Sequence, residues 1–183
     1  MNLEQHNEEI KRCTNCRLHE NRTQAVPNQG TADADVMIVG KMVGYKDDTV
    51  GLPYQGEAGN VIDYALKKAG LTRQDVFLTN LTRCYPPESR DPRKDELDRC
   101  APYFERELEM VDPDVIVALG KLVAERLLGR DVKIGEEHGT RHTYNTLTYR
   151  GEVFVTYNVG AATYEPELRD VIAEEFKTAL GSS

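Results

Sequence analysis

The sequence lacks an apolar run long enough to cross a membrane, and its N-terminus lacks the basic and apolar regions of a signal peptide. Cysteine is scarce, with four residues in a chain of 183. These absences predict a cytoplasmic protein with reduced thiols, in which four cysteines favour metal ligation over disulfides. A chain of this length can bury its own core, so we expect one domain spanning residues 1–183.

The sequence also lacks an excess of basic residues. It has 23 Lys and Arg against 31 Asp and Glu, a formal net charge of −8, which argues against a general polyanion binder. Acidic residues concentrate on the predicted helices, as at Glu105, Glu107 and Glu109. Basic residues collect in the central part of the chain, where they predict either a local cationic rim or a solvated loop: Arg83, Arg90, Arg93, Lys94 and Arg99.

Short apolar runs alternate with helical patterns along the chain. Such alternation predicts a parallel sheet covered by helices on both faces. The predicted strands are 36–39, 76–79 and 115–120, with a hairpin formed by 143–149 and 152–157. The predicted helices are 3–12, 57–69, 94–110, 122–128 and 166–180. Residues 41–56 show no helical period and predict a long functional loop.

The segment from Val76 to Cys84 links two kinds of chemistry. Asn80 falls where a buried strand should end, at the edge of a parallel sheet where α/β proteins bind ligands. Its side-chain amide offers one donor group and one acceptor, as needed to read the edge of a nucleobase. The alternative is an asparagine that caps a turn. Cys84, four residues later, would connect the same loop to a metal centre.

The cysteines form one chelating pair, Cys13-x-x-Cys16, and a wider pair, Cys84 and Cys100. Four thiolates suit either a tetrahedral zinc ion or an iron–sulfur cubane. The spacing departs from paired zinc knuckles because the second half has no close Cys-x-x-Cys. Four unrelated buried thiols are the remaining interpretation.

With these cysteines, three further segments resemble the family 4 (iron–sulfur) uracil-DNA glycosylases, from about Cys13 to Leu180. They are Gly51-Leu-Pro-Tyr54, Leu78-Thr-Asn80 followed by Cys84-Tyr-Pro-Pro, and Pro113 to Gly120. The resemblance implies a three-layer α/β/α fold with a central, mostly parallel four-stranded sheet. It also implies a [4Fe-4S] cluster held by Cys13, Cys16, Cys84 and Cys100.

Two motifs depart from the family pattern. The first motif reads Gly40-Lys-Met-Val-Gly44 here and lacks the family's glutamate and proline. In the second motif, Asn158 stands where the family has histidine. The family's roles, carried over by position, make Asp47 and Asn158 catalytic. Lys41, Gly44, Tyr54 and Asn80 would bind the substrate: Tyr54 by stacking on the base, Asn80 by reading its edge. A loop-anchoring Tyr54 and a solvated acidic turn at Asp47 are the alternatives.

Three hypotheses follow. In the first, the protein is a DNA glycosylase that hydrolyses the N-glycosidic bond of uracil or a related base and leaves an abasic site. In the second, the same fold and cluster bind DNA or a protein partner without excision. In the third, the chain is a zinc-stabilised nucleotide-binding α/β protein. We expect a monomer that acts on DNA and has no membrane contact.

Overall fold

The computed structural model describes residues 1–181, and the last two residues of the predicted domain lie outside the described part. One six-stranded sheet runs through it in the order β1-β3-β2-β4-β6-β5. The strands are β1 (Gln29–Gly30), β2 (Val36–Gly40), β3 (Phe77–Asn80), β4 (Val115–Leu119), β5 (Thr140–Asn145) and β6 (Arg150–Thr156). The helices are α1 (Leu3–Lys11), α2 (Tyr45–Val50), α3 (Glu57–Lys68), α4 (Lys94–Val111), α5 (Lys121–Leu128), α6 (Ile134–Glu137) and α7 (Glu167–Leu180).

The predicted three-layer α/β/α fold is confirmed, with a difference in strand count. The four central strands β3, β2, β4 and β6 are parallel, as expected. Two antiparallel edge strands extend them: β1 pairs with β3, and β5 forms a hairpin with β6. A hairpin was predicted here, but its turn lies at residues 146–149 and not at 150–151, which belong to β6. The two-residue β1 is too short to carry a periodic signal.

Alternation along the strands divides the core between two helical layers. Ile38, Leu78 and Val117 face a cluster that α3 and α7 complete. Met37, Phe77 and Ile116, one residue earlier in each strand, face α4 and α5. Because successive strand side chains point to opposite faces, short continuous apolar runs supply both layers. No helix in residues 1–181 is long and apolar enough to span a membrane.

The expectation of an unstructured segment over residues 41–56 was wrong, because this segment contains α2. The helix has six residues, fewer than two turns, so it shows no apolar stripe in the sequence. Local hydrogen bonds define it instead. The Asp47 carboxylate accepts from the N–H of Gly44 before the helix, and Gly51 ends the helix with a left-handed φ of 89°.

A buried carboxylate joins four parts of the chain. Glu107 on α4 is fully buried and accepts two hydrogen bonds of 2.6 Å from the guanidinium of Arg83. It also accepts from His6 Nε2 at 2.9 Å, Asn28 Nδ2 at 2.7 Å and Thr79 Oγ1 at 2.7 Å. The ion pair with Arg83 and these hydrogen bonds outweigh desolvation and lower the pKa of Glu107 to about 2.

We predict that Glu107→Gln lowers the free energy of unfolding by about 3 kcal/mol at pH 7, because it leaves the charge of Arg83 buried without a partner. The pKa of Glu107 is lower in the folded than in the unfolded state. Its contribution is therefore complete above the ordinary value of 4.5 and is lost as the pH falls toward 2. Urea unfolding should show the difference from the wild type shrinking over that range. Glu109→Gln, an exposed change on the same helix, is the control, and equal stability of the two variants would contradict the prediction.

Candidate active site and cysteine centre

A cavity of about 730 Å³ opens at the carboxyl ends of the central strands. The loops that follow β2, β3 and β6 form most of its walls. All six residues predicted to contact or process the substrate line it: Lys41, Gly44, Asp47, Tyr54, Asn80 and Asn158. The sequence therefore located the cavity, although the roles of these residues stay predictions.

Asn80 ends β3 and is 2% exposed. Its Oδ1 atom is buried and has no hydrogen-bond partner among the described residues. An unpaired buried acceptor costs roughly 1–3 kcal/mol, so folded proteins rarely retain one without a purpose. The Oδ1 atom lies against Gly40, and rotation of the side chain toward the cavity would let it accept from the N–H group of a ligand.

Gly40 allows the close contact between the first motif and Asn80. A Cβ atom at this position would lie 2.5 Å from Asn80 Oδ1 and 2.6 Å from the Tyr54 hydroxyl oxygen. Both distances are too short for any side chain. Gly40 therefore fixes how closely these two side chains approach the base of the cavity.

Tyr54 is 7% exposed and has a left-handed φ of 56°, which is rare for an aromatic residue. Its hydroxyl donates to the Thr79 carbonyl at 2.8 Å, and its own carbonyl accepts from Arg73 Nη2 at 2.5 Å. Burial raises its pKa well above the ordinary value, so the hydroxyl stays a donor. The predicted stacking residue is thus also a loop anchor, and no pattern in the sequence indicates that Arg73 holds it.

Asp47 is buried at the cavity wall, and backbone groups occupy both of its carboxylate oxygens. Oδ2 accepts from the N–H of Gly44 at 3.0 Å, and Oδ1 accepts from the N–H of Gln55 at 2.8 Å. The neighbouring Asp48 likewise accepts from the N–H of Thr23 at 2.8 Å. Asp47 therefore shapes the loop around the cavity. The N–H of Gly44, a residue predicted to bind the substrate, is therefore already engaged by Asp47.

Asn158 lies at the start of a 3-10 turn after β6. Its Oδ1 accepts from the N–H of Gly160 at 2.9 Å. This bond fixes the orientation of the amide, so its NH₂ group is the donor that this side chain presents. Gly120 lies against Asn158, since a Cβ on Gly120 would be 2.8 Å from the Cβ of Asn158.

Lys41 lies at the rim, where its Nζ pairs with Asp91 Oδ1 at 2.6 Å. The predicted cationic rim is largely neutralised in the same way. Arg90 pairs with Glu96 at 2.8 Å, and Lys94 pairs with Asp98 at 2.9 Å. Arg83 is not at the rim at all but is buried against Glu107.

The four cysteines surround a second, narrower cavity bordered by residues 13–22 after α1, by α4 and by the loop after β3. Two donors point at their sulfur atoms: the N–H of Asn15 at 3.4 Å from Cys13, and Arg22 Nη1 at 3.2 Å from Cys84. Burial raises the pKa of the Cys100 thiol to about 12. Among residues 1–181, no three His, Cys, Asp or Glu side chains converge on one point as a single metal ion would require.

Comparison with known proteins gives a consistent result. A model of the uracil DNA glycosylase superfamily matches residues 27–178. A type-4 uracil-DNA glycosylase of Saccharolobus solfataricus is 36% identical, covering 99% of this chain and 88% of the relative. The protein of the same name from Sulfurisphaera tokodaii is 36% identical, covering 96% and 82%. That from Pyrobaculum aerophilum is 35% identical, covering 99% and 94%.

We predict that Asp47→Ala loosens the loop around the cavity, because it removes two hydrogen bonds that backbone N–H groups donate to the carboxylate. The free energy of unfolding in urea at pH 7 should fall by about 2–3 kcal/mol. Limited proteolysis should then cut first between residues 41 and 56. Asp33→Ala, an exposed change in a different loop, is the control. A variant as stable and as protease-resistant as the wild type would show that Asp47 has no structural role.

Proposed function

Because this chain belongs to the uracil DNA glycosylase superfamily, we propose that it is a DNA glycosylase. It would hydrolyse the N-glycosidic bond of uracil, or a closely related base, and leave an abasic site. The single observation that carries the proposal is the buried, unpartnered Oδ1 of Asn80 in a cavity large enough for one nucleoside. Uracil presents one N–H donor beside a carbonyl acceptor, which an asparagine amide complements with two hydrogen bonds.

The target nucleotide must leave its stack to reach this cavity. In the proposed complex, the base lies against Tyr54 and Asn80 reads its edge. Negative charge develops on the base as the glycosidic bond breaks, and a pre-oriented donor stabilises it. The NH₂ group of Asn158 is suited to this task, because the N–H of Gly160 holds the amide in one orientation.

We also propose that Cys13, Cys16, Cys84 and Cys100 hold a [4Fe-4S] cluster. Four thiols around one cavity match the donor set of such a cluster, which the resemblance to the family 4 glycosylases implies. When bound, the cluster would supply a structural cross-link between the N-terminal segment, the loop after β3 and α4. The donors from Asn15 and Arg22 fit thiolate ligands, since both point at sulfur.

The remaining elements of the proposal are DNA as the partner, a cytoplasmic location and a monomeric state.

We predict that the wild-type protein, purified without oxygen, releases uracil from an oligonucleotide, both single-stranded and paired with guanine. Asn80→Ala should reduce the single-turnover rate by about a hundredfold or more, because a hydrogen-bond donor and an acceptor for the base are lost. Asn60→Ala, an exposed asparagine on α3, is the matched control. Absence of release by excess wild-type protein with its metal centre intact would overturn the uracil assignment and favour a protein that binds DNA without excision.

The cluster has a separate test. Cys100→Ser should lose iron and acid-labile sulfide together with the brown colour, because one of four thiolates is missing. Tyr103→Phe changes the same cavity but keeps all four thiols, and it should retain both elements. Stoichiometric zinc without iron in the anaerobically purified wild type would contradict the proposal and restore the zinc hypothesis.

A further inference from the structure

An exposed aromatic side chain stands at the mouth of the cavity beside a second aromatic ring that supports it. Tyr45, the first residue of α2, is 69% exposed and lines the cavity. Tyr85, in the loop after β3, packs against it edge to face, with ring centroids 5.9 Å apart. An exposed aromatic ring at the mouth of a cavity offers a flat face on which a planar group can stack.

The Tyr45 ring is held in place although it is exposed. The hydroxyl of Tyr85 lies 2.9 Å from Ser89 Oγ, and Ser89 itself lines the cavity. Pro86 and Pro87 follow Tyr85 directly, which restricts the backbone of this wall. Because this support restricts the ring before binding, stacking of a planar group on Tyr45 would cost little conformational entropy of the protein.

The charges around the mouth argue against strong binding through phosphates. Lys41 pairs with Asp91 and Arg90 pairs with Glu96, which leaves Lys46 as the one lysine of the cavity lining without an ion pair among residues 1–181. The whole chain has a net charge of −8. Duplex binding draws much of its affinity from unpaired cations. Stacking on aromatic rings instead needs a free base face, which an unpaired strand offers.

We propose that Tyr45, supported by Tyr85, is a stacking platform for a base next to the one in the cavity, and that it directs the protein to single-stranded DNA. This inference rests on the proposed function for its setting, because it assumes that the neighbouring base occupies the cavity. Tyr45 contacts the substrate directly. Tyr85 acts through Tyr45 and is a positioning residue.

The first test is binding of a fluorescein-labelled thymidine 15-mer, alone or annealed to its complement, to the cluster-loaded protein by anisotropy. Tyr45→Ala should raise Kd for the single strand about tenfold, within the roughly 1–3 kcal/mol of stacking per base. Tyr45→Phe should stay within about twofold, because it keeps the ring. Leu147→Ala removes an exposed apolar side chain at the hairpin tip and is the control.

Salt dependence separates stacking from a change in charge. The slope of log Kd against log salt should be equal for the wild type and Tyr45→Ala, since no cation is removed. Tyr85→Ala should weaken binding less than Tyr45→Ala, and Tyr85→Phe, which keeps the edge contact but loses the hydroxyl bonded to Ser89, should lie between Tyr85→Ala and the wild type. Unchanged binding by Tyr85→Ala would reject the positioning role.

Two results would overturn the platform: an unchanged Kd for Tyr45→Ala, or wild-type binding to the duplex as tight as to the single strand. Binding of this oligonucleotide requires no base removal, so its outcome does not depend on excision. If the wild type fails to release uracil but Tyr45→Ala still weakens binding, the proposed function is lost and the platform stands. If uracil is released and Tyr45→Ala leaves both binding and the single-turnover rate unchanged, the platform alone is rejected.

Discussion

The buried carboxylate of Glu107 is the interaction on which the rest of the structure depends. An isolated charge in a protein interior is prohibitively expensive, and the pair with Arg83 offsets that cost only because three further donors complete the shell. Those donors come from α1, from the loop before β1 and from β3. One side chain thus fixes the position of α4 relative to the N-terminal third of the chain and to the strand that carries Asn80.

The same network connects the two candidate sites. Arg83 precedes Cys84, and α4 carries both Glu107 and Cys100, so the network borders the cysteine cavity. Thr79 binds Glu107 through its hydroxyl and accepts from Tyr54 through its carbonyl, so the network also borders the larger cavity. A structural centre at the cysteines would then support the larger cavity without touching it. The connection runs along the chain from Cys84 to Arg83 and then through the hydrogen bonds of Glu107 and Thr79.

The sequence predicted the apolar strands, the longer helices and six of the residues that line the larger cavity. Each of these predictions rests on a local pattern or on a family motif. It did not predict α2, which local hydrogen bonds of Asp47 define, nor the burial of Arg83 and Glu107. In the sequence, both charged residues look like surface groups, because the two residues that pair with each other are 24 positions apart. The anchoring of Tyr54 by Arg73 is hidden for the same reason: a side chain bound to a distant backbone carbonyl leaves no periodic trace.

Asn158 limits the chemistry that its position can supply in the proposed reaction. A histidine can change its charge near neutral pH, whereas an asparagine amide cannot. The amide oxygen accepts from the N–H of Gly160, which leaves the NH₂ group as a neutral donor. Lys41, one of two lysines that line the cavity, is paired with Asp91. In the proposed reaction, stabilisation of an anionic leaving base would draw on hydrogen bonds held in a fixed geometry, and the constraints at Gly40, Gly120 and Gly160 supply that rigidity.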